Sequence, residues 1–367
     1  MRRTRILALL SAGLVATSVA GLSAVGAASG VEANAAARAA IPDRIDGLNG
    51  PRGLDIAATG RAAVAETGGA ISLIVRSGPA AGTLRHLGHV PTDFPAAVAM
   101  GRRGSVWALT TGHEGKGSAT LFRFDRDGTR HKVANLARWA SHHPDPFDLE
   151  NEPTDSNPFG LAPGPHGSML VADAGANAVT QVWPSGRIEL VARVQPRVVR
   201  VPEAIQTAQN LPAKVPAEAV TTSVAMGAHG AVYIGELRGF PGTPKTSEVW
   251  RVRPGARGVV CRPAAPFSGP CKRAADRLTS VVSLDLRSDG ALYVAELSKL
   301  SWVAIESKPP VPGADIGAVI RISPDRTNRR ELKPGQVHLP GEVAVDSTGR
   351  AYVSGPIFGP GSVFRVD

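Results

Sequence analysis

Four carboxylates recur at one position of a repeat. Glu66, Asp173, Glu236 and Glu296 each stand twelve residues after an apolar anchor, and Thr110 and Gly355 fill that position in the two remaining units. Like charges gathered in one space repel and raise one another's pKa unless something compensates. An oxygen-binding cation such as Ca2+ is the simplest compensation. The plainer reading is that each acid caps its own loop or pairs with an arginine such as Arg52 or Arg238. The loop 142–155 adds His142, His143, Asp145, Asp148, Glu150, Glu152 and Asp155; lacking the ordered spacing of an EF-hand, it reads first as a solvated acidic loop and second as a donor of further ligands. Arg52, Asn157 and Thr222 open their units and are candidates to hold a ligand by hydrogen bonds, although Asn157, before Pro158, is also a natural turn residue. No G-x-S-x-G elbow, H-E-x-x-H helix or phosphate-cradling glycine loop is present, and no serine stands out as a nucleophile.

The elements that must position these residues are six copies of one pattern. An apolar residue is followed six positions later by glycine: Leu54/Gly60, Val98/Gly104, Leu161/Gly167, Val224/Gly230, Leu284/Gly290 and Val343/Gly349. A short apolar stretch follows each glycine (AAVAE, VWALT, MLVAD, VYIGE, LYVAE, YVSG), which predicts a strand after a hairpin turn. A third strand follows a variable loop, as in AISLIV, ATLFRFD and EVWRVRP, and most units continue into a weaker fourth. Four antiparallel strands repeating every 44 to 63 residues predict an all-β, six-bladed β-propeller. No sustained 3.6-residue apolar period supports an α/β alternative. The last unit ends at Asp367 without a fourth strand, and the segment 41–48, IPDRIDGL, resembles the missing one. It is expected to pair with the last blade and close the ring, covering an edge that otherwise invites aggregation.

Residues 1–40 read as an export signal and small-residue linker, and 41–367 as the propeller: Arg2, Arg3 and Arg5 precede an apolar run with several A-x-A-like sites after it. An uncleaved anchor is the alternative, because about twenty apolar residues can span a bilayer. The expected location is secreted, with no membrane span in the mature chain. Cys261 and Cys271 have nine residues between them, and an even count in an oxidising compartment predicts one local disulfide rather than a metal or redox pair. The net charge is +10; four arginines and one glutamate lie in the first forty residues, which leaves +7 for the rest. That charge is spread without a basic strip, so no nucleic-acid partner is expected, and the chain is read as a monomer.

Antiparallel connectivity separates the two faces of the disc. The first-to-second turns are tight and Gly-bearing and share one face, the bottom. The long connections 141–156, 195–219, 237–246 and 297–316 map to the other, the top, where loops on a rigid frame usually carry binding. With second strands placed near the axis, Glu66, Asp173, Glu236 and Glu296 are expected around the top mouth of the central channel.

The stretches DSNPFGL (155–161), LVADAGANAV (170–179), VYIGELRGFPG (232–242) and SDGALYVAEL (288–297) resemble the ScyD/ScyE family, exported bacterial propellers named after proteins encoded with scytonemin-pigment biosynthesis. The resemblance spans nearly the whole mature chain and implies fold and location rather than a reaction. The chain departs from that wording in VWALT and YVSG, which lack the acid, and in the Pro-rich loop 195–219. More distantly, Glu66, Asn157, Asp173 and Glu236 resemble the ligand set of calcium-dependent lactonase propellers, an analogy at the level of the fold. The leading expectation is an exported binding or scaffold propeller for a small molecule or an extracellular partner, with a cation-containing site at the top mouth. The alternatives are a metal-dependent hydrolase or lyase of lactonase-like type, in which a cation polarises a carbonyl and a carboxylate acts as base, and a cell-surface adhesion module.

Overall fold

The computed structural model describes residues 41–112 and 117–367; the export-signal reading of residues 1–40 lies outside them. Six antiparallel sheets stand around a common axis. Their innermost strands are Leu54–Ile56, Ala97–Met100, Pro158–Pro163, Thr221–Met226, Val281–Leu286 and Val343–Val345. Each packs against the next, and the sixth returns to the first, so the chain is a six-bladed β-propeller. The six repeat glycines all adopt φ between 77 and 90°, a left-handed turn conformation that costs glycine little.

The order within each sheet corrects one expectation. The first strand of a blade, not the second, lies at the axis. Its inner edge has no strand partner, and side chains of the adjacent blade satisfy part of it, accepting the N–H groups of Leu54, Met100, Val343 and Val345. Second strands, such as Ala62–Ala65 and Val232–Glu236, are enclosed on both sides and buried throughout, which explains their small and β-branched composition. Large side chains fill the wedges between blades: Trp250, Tyr293 and Tyr352 are fully buried, and each such ring contributes on the order of 2 kcal/mol by burial.

Arg44–Asn49 lies outermost in the sixth sheet, antiparallel to Pro360–Arg365, with Ile45 opposite Val363 and Leu48 opposite Gly361. Ile45 and Leu48 are buried, and the Tyr352 hydroxyl donates to the Ile41 carbonyl at 3.1 Å.

Two features depart from the simple repeat. The third sheet gains a fifth strand, Val259–Cys261, parallel to Ile188–Val194. A hairpin of Arg197–Arg200 and Lys214–Ala217 projects from the connection between the third and fourth blades. Cys261 and Cys271 form a disulfide with Cα atoms 5.1 Å apart. Cys271 opens the outermost strand of the fourth blade, Cys271–Leu278, so the bond joins the rims of two blades rather than closing a single hairpin. Among the described residues no helix is long and apolar enough to cross a membrane.

Candidate functional site

The acids at the ends of the second strands are each engaged locally. Glu66 accepts the Asn49 N–H at 2.8 Å. Asp173 accepts the Ser156 hydroxyl at 2.6 Å and the N–H groups of Asn157 and Ala176 at 2.7 and 3.1 Å; burial pushes it up to about 6 against those bonds. Glu236 is fully buried and paired with Arg238, which also faces Glu248. Burial raises Glu236, and the neighbouring Glu248 carboxylate adds to the rise while Arg238 opposes it. Glu296 accepts the Thr279 N–H at 2.8 Å, and burial pushes it up to about 7. Among the described residues no three His, Cys, Asp or Glu side chains come together as a metal's ligand set.

The three hydrogen-bonding candidates sit between blades. Asn157 accepts the Gly112 N–H at 3.1 Å, joining blades two and three. Thr222 donates to the Val281 carbonyl, joining blades four and five. Arg52, 1% exposed, reaches from the first blade to the Phe159 carbonyl and, at 3.2 Å, to that of Pro95, with its guanidinium 3.8 Å from the Phe159 ring centroid. Burial lowers Arg52 to about 10, and Glu342 partly offsets this. The loop 142–155 folds onto the body: Asn177 donates to Asp145 at 2.9 Å, and Glu218 accepts the Leu149 N–H at 2.6 Å.

With first strands at the axis, the carboxylates nearest the channel are one residue after or before the anchors: Asp55, Asp285 and Glu342. Each accepts a backbone N–H from the inner strand of the next blade: Asp55 from Met100, Asp285 from Val345 at 2.7 Å, and Glu342 from Leu54 at 2.7 Å. All three line one small axial pocket, with a cavity volume of about 50 Å³, together with Ser223, Ser283 and apolar anchors. Asp55 and Asp285 are half-buried and Glu342 is buried. The buried Ser223 hydroxyl has no hydrogen-bond partner. Burial pushes Asp55 up to about 6, Asp285 to about 7 and Glu342 to about 8. Mutual repulsion adds to this, since Asp55 raises Asp285 and both raise Glu342, while Arg52 opposes the rise in Glu342. Arg52 crosses the channel on the top side of this group, where inner strands begin.

These acids were visible in the sequence as L-D-I and L-D-L around the first and fifth anchors, an acid between two apolar residues on a strand. They lie on first strands, whereas the acids expected at the channel close the second strands, which stand one place farther from the axis. Chemically, the pocket offers acceptors for ammonium or hydroxyl donors, and carboxyl groups that exchange protons near neutrality.

No family model matches the chain, and no curated protein matches it. Among solved structures, it is similar to the PQQ-bound aldose sugar dehydrogenase of Streptomyces coelicolor, at 12% identity over 88% of this chain and 95% of that one, with a TM-score of 0.52. It is also similar to a gluconolactonase of Xanthomonas campestris, at 12% identity over 91% and 93% of the two chains, with a TM-score of 0.51. At this level of identity the likeness shows a shared fold.

Proposed function

We propose that this propeller works outside the cytoplasm as a binding protein for a small, polar, amine-bearing molecule held in the axial pocket. The observation that carries the reading is the convergence of Asp55, Asp285 and Glu342, from three places on the ring, onto one pocket where Asp55 raises the pKa of Asp285 and both raise that of Glu342. Strongly shifted groups that meet in a cavity are a recurrent mark of a binding site. A bound ammonium relieves the repulsion and replaces the water those carboxylates lose. The Cys261–Cys271 disulfide supports an oxidising compartment. Calorimetry with ethylenediamine as probe tests the reading: binding should weaken at least tenfold in Asp55→Asn/Asp285→Asn. Equal binding by wild type and variant, or none to either, overturns it.

A second reading, a hydrolase or lyase, is favoured by one observation. Asp55, at about 6, and Glu342, at about 8, lie on opposite sides of neutrality, which is the arrangement a base and an acid need. Lactone and ester turnover that is lost in Asp55→Asn while ethylenediamine binding persists would support it over simple binding.

A further inference from the structure

The upper mouth of the channel has a different character from the axial pocket. Top connections from five blades meet there in one apolar cluster: Phe94, Phe159, Leu237, Trp302 and Ile357 are buried in it, and Phe240, Val303, Ile305, Leu339 and Phe358 are only partly covered. Phe94 lies 6.3 Å from Phe159 and 6.5 Å from Phe358 between ring centroids. The Trp302 indole N–H donates to the Arg238 carbonyl at 3.0 Å and holds the short helix Trp302–Glu306 against the fourth blade. Leu300 and Val311, on the same connection, are 44% and 42% exposed.

Glu306 closes this helix four residues after Trp302, so its side chain shares the face that Trp302 inserts into the cluster. It is half-buried. Its carboxyl makes no hydrogen bond or ion pair with the described residues. The other charges of the segment are spent or turned outward: Lys299 pairs with Glu331 at 3.0 Å, Asp315 with His338 at 2.9 Å, and Lys308 is exposed without pairing to Glu306. The acid therefore lies half-buried on the helix whose Val303 and Ile305 pack against the cluster, with no counter-charge from the described residues.

We propose that this mouth is a second binding site, for a small aromatic molecule carrying one positive charge, with its ring against Phe240, Phe358 and Leu339 and its cation on Glu306. Charge complementarity identifies the occupant: an apolar surface alone accepts any hydrophobe, whereas an unpaired carboxylate at its edge selects a cation and rejects an anion. Aromatic faces add attraction for an ammonium group. Burial alone pushes Glu306 up to about 7, so the site gains its charge as pH rises through neutrality.

Calorimetry on the purified chain with benzyltrimethylammonium, whose charge does not titrate, and neutral benzyl alcohol tests this. At pH 8 the cation should bind at least tenfold tighter than the alcohol, and its affinity should fall severalfold at pH 6. Glu306→Gln should remove the preference and the pH dependence while leaving alcohol binding intact, and Phe358→Ser should weaken both probes. Equal binding of the two probes, absence of cation binding to folded protein, or a preference that survives Glu306→Gln overturns the proposal. A preference lost in Asp55→Asn/Asp285→Asn instead places the cation in the axial pocket and also overturns it.

Discussion

Asp55 and Asp285 occupy the same place on two different blades. Each follows its blade's anchor, Leu54 or Leu284, and each accepts an N–H from the inner strand of the next blade, at Met100 and Val345, two residues after that blade's own anchor. Glu342 makes the related bond to Leu54 from the residue before its anchor. The inner edge of a propeller blade has no neighbouring strand to satisfy it, and these carboxylates supply the missing acceptors. The same groups that line the pocket thus fasten the blades.

That double role carries a pH signature. Asp55 at about 6 and Asp285 at about 7 lie above the ordinary value of 3.8, chiefly through burial. The folded state therefore holds protons that the unfolded chain releases, and the stability gained from them is lost as pH rises from about 4 through 7. Each group should contribute on the order of 1–3 kcal/mol to that loss. Urea denaturation should find the protein more stable at pH 5 than at pH 8 from these groups, and Asp285→Asn, whose amide oxygen still accepts the Val345 N–H, should flatten the difference. An unchanged slope in the variant would show that Asp285 does not titrate there.

The disulfide makes a separate contribution. By joining the added strand of the third sheet to the outer strand of the fourth, it restricts the unfolded chain and fastens two blade rims. Its short loop corresponds to about 3 kcal/mol of loop-closure entropy. Cys261→Ser/Cys271→Ser should lower the thermal midpoint by several degrees without altering amine binding at the axis. A midpoint that does not move would mean the inter-blade packing alone holds this rim.

Arg238 is 1% exposed between two fully buried carboxylates, Glu236 and Glu248, and Glu248 also takes Arg197 at 3.1 Å and Arg273 at 2.9 Å. Arg197 belongs to the projecting hairpin, so this network also anchors that insertion. Arg238→Met strands buried charge and should cost about 3–5 kcal/mol. Adding Glu236→Gln should recover part of the loss, read as a coupling energy in a denaturation double-mutant cycle. Strict additivity of the two changes would deny the pairing.

The blade repeat was legible because turn chemistry is local: a glycine six residues past an apolar anchor is visible without coordinates, and all six adopt the left-handed turn. Which strand faces the axis was not legible. Alternation along a strand distinguishes its two faces, but both first and second strands are apolar on both sides, and only packing between blades ranks them radially. That one ambiguity displaced the candidate site: Asp173 and Glu296 bind loops of their own blades, whereas Asp55 and Asp285, hidden in short L-D-I and L-D-L runs, line the pocket. The apolar upper mouth was equally hidden, since Phe94, Trp302 and Phe358 belong to connections with no common spacing and Phe159 to the start of an inner strand.

The strand Arg44–Asn49 carries the last expectation. Ile45 and Leu48 are buried against the sixth and first blades, and the strand's end is tied to the first blade by the Asn49 N–H on Glu66 and the Thr67 N–H on the Asn49 carbonyl. If the segment holds the ring shut, Leu48→Ala should cost about 2–4 kcal/mol through the cavity it leaves. Glu66→Gln, which changes one half-exposed acceptor, should cost less than about 1 kcal/mol. Removal of residues 41–49 should leave Pro360–Arg365 as an open edge that pairs with other chains, seen as a shift to larger species in size-exclusion chromatography with light scattering. A truncated chain that stays monomeric with an unchanged thermal midpoint would show that contact between the first and sixth inner strands is sufficient to keep the propeller closed.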